Sequence, residues 1–185
     1  MKKVIGLALL LNVLNNSVLA DEYTIDGTGA GMHSFVQFKA SHMGISALWG
    51  RFNDITGSFT YDAEDIESSK IEVFIDPASL DSNHAARDAH LTSGDYLDVA
   101  NFPESKFVST NIKDKGNGVV GVTGDFSFHG VTKSISFDMT LVGEGETRFG
   151  DYRVGFEGST VVEFGAYGIE PMSIELLLSV EGVAL

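Results

Sequence analysis

The chain has 185 residues, no cysteine, and 12 Lys and Arg against 26 Asp and Glu, for a formal net charge of −14 at pH 7. That balance excludes a disulfide framework and a lipid-anchored cysteine, and it repels nucleic-acid phosphates and anionic membrane faces. The length suits one domain with a substantial core.

The first twenty residues read as an export leader. Lys2 and Lys3 precede an apolar run from Val4 to Val13, broken only by Gly6 and Asn12. Val18 and Ala20 stand at the −3 and −1 positions of a small-residue cleavage site. The run is shorter than the about 20 residues a membrane-spanning helix needs. The expectation is a signal peptide over residues 1–20, cleaved after Ala20, and one exported domain over residues 21–185 in the periplasm. The leader removes two basic residues and no acidic ones, so the exported chain is more acidic still.

Along that domain the pattern is one of short alternating runs. Strands are expected at Ser34 to Ala40, Ala47 to Phe52, Ile55 to Tyr61 and Ile71 to Ile75. A helix follows from Ala85 to Thr92, with Asn83 or Ser82 as its N-cap, and a further short turn runs from Ser93 to Asp98. Lys106 to Ile112 is the next strand. The segment Lys113 to Gly118 carries Asn117-Gly118, a hairpin signal. Val122, Phe126 and Phe128 then share one face, opposite Thr123, Asp125, Ser127 and His129. His129-Gly130 is a tight two-residue link. From Ser134 to Leu141, Ile135, Phe137, Met139 and Leu141 alternate with polar residues without a break. Val154, Phe156, Val162 and Phe164 share a face in the run from Tyr152 to Phe164. Ile174, Leu176, Leu178 and Val180 do so in the last run, with Leu177 interrupting the polar side.

Eight or more such strands with one clear helix indicate an antiparallel barrel or sandwich, and the 20 glycines after the leader supply turns, bulges and corners. A small eight-stranded barrel either fills its interior with side chains or holds one ligand. The apolar set Val36, Phe38, Trp49, Val122, Phe126, Phe128, Phe137, Met139, Phe156, Phe164, Leu176 and Leu178 therefore lines a tunnel or packs a solid core. Arg87, Asp88 and His90, close together on the helix, form a polar rim or brace the helix locally. His42, in the turn at Met43-Gly44, is a further rim residue or a surface histidine.

Chemistry is sparse. The five histidines show no ligand spacing beyond Asp88-x-His90, and the Asp114 to Gly118 turn lacks the oxygen donors and distal Glu of a calcium loop, so no metal site is expected. There is no cysteine, no nucleophile elbow and no glycine-rich phosphate loop, so no catalytic residue is assigned. Paired carboxylates are too plentiful in so acidic a chain to discriminate. An enzyme acting on a ligand held in the same tunnel is the rival class, marked by inward polar groups of perturbed pKa. A solid-cored interaction module is the third.

One segment carries a resemblance. Between Asn83 and Thr110 stand Arg87, Asp88, His90 and Leu91, then Tyr96, then Phe102-Pro103 and Phe107. With HSFVQFKASHMGISALWGRFNDITGSFTYD (His33 to Asp62), VTGDFSFHGVTKSISFDMTLVG (Val122 to Gly143), RVGFEGSTVVEFGAYGI and the terminal SVEGV, it resembles the YceI-like family in order, spacing and length. The resemblance implies an all-β, extended lipocalin-like, eight-stranded antiparallel barrel with one or two short helices. Its apolar tunnel holds a polyisoprenoid, such as a polyprenyl pyrophosphate or a quinone tail, or a similar long amphiphile. It favours the tunnel over the solid core and a binding protein over an enzyme. No cofactor is implied beyond the bound lipid, nor any nucleic-acid partner or stable membrane insertion; monomer and homodimer both stay open. The sequence departs from the family at one point. Val161 and Val162 precede Glu163-Phe164 where members often carry a basic residue, which implies a neutral headgroup more than a pyrophosphate.

Overall fold

Alternation builds the wall. In Val119–Phe128, Val120, Val122, Phe126 and Phe128 are buried, and none of Val119, Gly121, Thr123, Asp125 and Ser127 is. The computed structural model describes residues 21–27, 29 and 33–185; the expected leader lies outside them. Among the described residues the strands are β1 Asp21–Asp26, β2 Phe35–His42, β3 Ser46–Phe52, β4 Ile55–Tyr61, β5 Lys70–Ile75 and β6 Leu80–Asp81, followed by helix α1 at Ala85–Leu91. Then come β7 Ser105–Gly116, β8 Val119–Phe128, β9 Val131–Glu146, β10 Tyr152–Glu163 and β11 Ser173–Ala184.

Every pairing is antiparallel, and the order β1-β4-β5-β7-β8-β9-β10-β11 closes through β11 onto β1. The result is a closed eight-stranded barrel. Three of its staves are broken at one level. β1 and β2 both lie against the same edge of β11, at Thr24↔Val183 and at Phe35↔Ser179, so they are two halves of one stave. β3 and β4 form the next, and β5 and β6 the third. A few hydrogen bonds stitch the breaks, two serine hydroxyls among them: Ser79 accepts from the Asp54 N–H at 2.9 Å, and Ser34 bonds both ways with the Glu181 backbone at 3.0 Å. The Gly27 N–H donates to the Ile55 carbonyl at 2.7 Å, the Asn53 N–H to the Ser79 carbonyl at 3.1 Å, and the Asp76 N–H to the Asp54 carbonyl at 3.1 Å.

The two expected hairpins form, and their geometry follows from residue type. Asn117 and Gly118 have φ of 56° and 76°, and His129 and Gly130 have 49° and 74°. Two successive positive values make the mirror-image turn whose twist suits a hairpin. A bulge in β7 between Ser109 and Asn111 shifts parity, so Phe107 and Ile112 are both buried although they are five residues apart.

The helix differs from expectation at its start. His84 is the N-cap, its Nδ1 accepting from the Arg87 N–H at 3.2 Å. Ser82 does not cap because its hydroxyl is engaged by Arg87 and Asp88, and Asn83 instead makes the left-handed turn into the helix, with φ of 62°.

The core follows the broken staves. One apolar cluster, including Phe38, Phe107, Phe126, Phe128 and Tyr167, fills the α1 end. A second, around Tyr23, Ile25, Phe59 and Val154, fills the other. Phe38 lies against Gly50 on the neighbouring strand, where a Cβ would stand 2.2 Å from its Cζ. Glycine there is a space requirement imposed by the ring.

Candidate ligand-binding lumen

The two apolar clusters leave space between their side chains inside the barrel. Beneath α1 lies a cavity of about 270 Å³, and deeper in the barrel one of about 120 Å³. Val36, Ile75, Phe126 and Leu176 line both, so the two spaces adjoin at a waist. The deep cavity is walled by carbon: Ile55, Phe59, Val122, Phe137, Met139 and Phe156 contribute, and no charged side chain does. At its edge the Ser69 hydroxyl is buried without a hydrogen-bond partner among the described residues. The outer cavity is walled by Phe38, Leu80, Phe128, Phe164, Met172 and Ile174, and it is edged by the polar groups of His42, Arg87, His90 and Tyr96.

The apolar set expected from alternation falls on these walls with one exception. Val122, Phe137, Met139, Phe156 and Leu178 line the deep cavity, Phe38, Phe128 and Phe164 the outer one, and Val36, Phe126 and Leu176 both. Trp49 does not. It sits on the outside of β3, 51% exposed, with the Lys39 ammonium 5.4 Å from its ring. Period two decides this: Leu48 and Phe52 face the lumen, Gly50 makes room for Phe38, and Trp49 between them faces out. Ile55, Phe59 and Ile75 are lumen residues that went unassigned, although Ile55 and Phe59 share a parity within an expected strand.

The polar residues separate by role. His42, at the end of β2, and His90, on α1, are both exposed and both edge the outer cavity. The His90 ring meets Tyr96 edge-on at 5.1 Å, with its Nε2 3.4 Å from the Asp95 carboxylate. Arg87 also edges the cavity, but two of its donors are committed: Nε to the Ser82 hydroxyl at 2.7 Å and Nη2 to the Ser82 carbonyl at 2.5 Å. Asp88 is not among the rim residues. Its carboxylate turns back to Ser82, whose hydroxyl and N–H both donate to it, and those bonds hold its pKa below the usual range. The helix places Arg87 and Asp88 side by side in sequence, but their shared partner makes them a brace.

Behind the rim, Tyr167 packs on Phe126 and Phe128 at 5.8 and 5.5 Å, and burial pushes its phenol pKa up. The adjacent His129 Nδ1 lies 3.0 Å from the Tyr167 carbonyl oxygen. Among the described residues no group of three His, Cys, Asp or Glu is arranged to hold a metal ion, and no helix is long and apolar enough to cross a membrane. What the arrangement offers chemically is an enclosed hydrocarbon solvent with a polar edge.

The YceI-like domain model matches residues 23–183, almost the whole of the described barrel. The chain belongs to the YceI-like family. It is 45% identical over 187 residues to a UPF0312 protein of Shewanella sp. (strain ANA-3), covering 95% of this chain and 97% of that one. The barrel is similar in fold to Burkholderia cenocepacia BcnA, with a TM-score of 0.73 at 18% identity, covering 80% and 95% of the two chains. It is likewise similar to a polyisoprenoid binding domain from Saccharophagus degradans implicated in plant cell wall breakdown, with a TM-score of 0.65 at 12% identity and coverage of 90% and 99%. At such identities the structural likeness is one of fold.

Proposed function

We propose that this YceI-like protein is a periplasmic binding protein that sequesters or transports a long-chain isoprenoid, a polyprenyl pyrophosphate or an isoprenoid quinone, in its lumen without a chemical step. The observation that carries the reading is the pair of adjoining, largely carbon-walled cavities, open in the free protein, with ionisable rim side chains such as Arg87 and His90 at one end only. A folded chain that needed only stability would close such space, since unfilled volume forfeits packing. The binding chemistry of the Saccharophagus neighbour supports the ligand class, and the leader expected over residues 1–20 supports the compartment.

Magnitudes fit a tail-first mode. An apolar cavity of about 150 Å³ holds a benzene, so these spaces take roughly ten and five carbons at rest, about three isoprene units. Burying those carbons returns about 12 kcal/mol gross at ~0.8 kcal/mol each. Association costs about 4–15 kcal/mol, least where the site is preformed. The tail is therefore the main anchor. At the rim, Ser82 already engages two Arg87 donors, and Val161 and Val162 stand where a basic residue is common in the family, so a neutral headgroup is favoured. The protein needs no cofactor in this role and no nucleic-acid partner, and it works as a monomer or homodimer without stable membrane insertion.

The test is native mass spectrometry of protein from the periplasmic fraction of its own host, followed by identification of the released lipid. An isoprenoid at near one-to-one occupancy is expected. Protein that is empty in every preparation, and that takes up no prenyl lipid when offered one, overturns the reading.

A further inference from the structure

The hairpin between β2 and β3 ends in three residues the fold does not use. Met43 and Ile45 are 81% and 82% exposed, and Gly44 between them has open space around it. The turn is held from below. Met43 takes φ of 55°, the Ile45 N–H donates to the His42 carbonyl at 3.0 Å, and the Gly44 N–H donates to the Ser41 hydroxyl at 3.2 Å. Two large apolar side chains are thus presented on a tight, supported knuckle. Directly beneath it, Ser41, His42 and Leu48 line the outer cavity, so the knuckle is the lip of the lumen.

Two further observations concern what meets this lip. The segment from Gly27 to Asn53 contains no Asp or Glu, in a chain that has 26 of them, while it contains Lys39 and Arg51. The hairpin itself carries no carboxylate, and the two that reach it from neighbouring strands, Glu175 and Asp81, are paired with Lys39 and Arg51, so the acidic field of the rest of the molecule is neutralised where the hairpin projects. Trp49, the one tryptophan of the chain, lies on the outer face of the same hairpin, half exposed beside the Lys39 ammonium. A half-exposed Trp with an ammonium over its ring is suited to a membrane interface. Trp49 lies four residue steps beyond Ile45, about 13 Å along the strand. With strands tilted by about 35–45°, that is roughly 10 Å of depth, close to the ~5–10 Å to which interfacial elements sink.

We infer that the β2–β3 hairpin docks the barrel mouth onto the surface of a phospholipid bilayer, Met43 and Ile45 entering the acyl region and Trp49 resting among the headgroups. The inference rests on the carrier reading in one respect, because a membrane-dissolved ligand must pass between bilayer and lumen, and this lip joins the two. A bilayer fits better than a protein partner, since a stable protein interface buries about 800 Å² per partner and the apolar surface here is a two-residue tip flanked by Ser41, His42 and Ser46. The overall acidity selects a neutral surface over an anionic one.

Trp49 is a built-in reporter. Its emission is read on adding neutral phosphatidylcholine vesicles to the protein, with co-sedimentation measured in parallel. A shift to shorter wavelength is expected, with quenching by lipids brominated near the headgroup. The Met43→Ser/Ile45→Ser double variant should lose at least tenfold in vesicle partitioning, with its thermal midpoint unchanged. Phe149→Ser, which removes a similarly exposed side chain from the β9–β10 hairpin, should partition as the wild type does. Wild type that neither shifts nor sediments, a double variant that partitions normally, or an equal loss in Phe149→Ser each overturns the proposal. So does a wild type that ignores vesicles while forming a stoichiometric complex with a protein. Wild type that docks but never contains a lipid refutes the carrier reading and leaves the docking surface standing.

Discussion

Ser82 gives Asp88 both its N–H, at 2.9 Å, and its hydroxyl, so the carboxylate closes a ring at the foot of helix α1. Arg87 grips the same serine from its other side. One buried serine thus fixes the seven-residue helix that roofs the outer cavity, a helix too short to be stable by itself.

The first prediction concerns acid. The Ser82 hydroxyl, donating to Asp88, holds its folded pKa below the unfolded value of about 3.9. The stabilisation is therefore fully present above about pH 4 and is lost as pH falls through the lower folded value. Asp88→Asn should cost about 1 kcal/mol at neutral pH, discounted for partial exposure, and should remove that part of the acid dependence. Thermal midpoints from pH 7 to 2 check it: parallel curves for variant and wild type would contradict the assignment.

The second concerns the waist. Val36 is 2% exposed and faces both cavities. Val36→Phe should pinch the lumen, restricting the bound tail to the outer space and shortening the longest prenyl chain retained by about one isoprene unit. With free volume on both sides, the stability cost should stay under about 1 kcal/mol, where a solid core would lose about 1–3. Denaturation midpoints and the chain lengths retained from a mixed prenyl-alcohol pool provide the comparison.

The third uses Gly50. An added Cβ would push the Phe38 ring, and the ring's available space is the outer cavity. Gly50→Ala should therefore reduce ligand occupancy severalfold while unfolding only slightly more easily. A large loss of stability with normal occupancy would show that the ring has nowhere to go.

The fourth concerns Trp49. Because it lies outside the wall, Trp49→Ala should leave lipid occupancy unchanged and cost no more than about 1 kcal/mol, the scale of its contact with Lys39. Loss of bound lipid in protein never exposed to vesicles would place the side chain back in the lumen.

Legibility in the sequence followed locality. Strands such as Ile55–Tyr61 were readable to the residue because both faces alternate without interruption. β1 was not, since its acidic start hides the alternation of Tyr23 and Ile25, and its burial depends on Phe59 on a distant segment. At Trp49 hydrophobicity points inward and strand parity outward, and parity decides. Asp88 turns from the rim to Ser82, and helical proximity to Arg87 and His90 does not reveal that partner. The existence of empty space could not be read from any run of residues at all. It depends on how much volume Phe126, Phe137 and Phe156 leave between them once the barrel has closed.

The breaks in three adjoining staves give the wall two mechanical characters. From β7 to β11 the ladder is long and continuous, whereas across Gly27, Asn53–Asp54 and Asp76–Ser79 it is reduced to isolated stitches at one height. Deformation concentrates where the fewest bonds resist it, so the barrel bends along that line and keeps its shape elsewhere. The resting volume is then a lower bound on capacity. On the carrier reading, a tail longer than three isoprene units would be accommodated by parting the two halves on the stitched side, and the work of parting them would set a penalty that rises with chain length.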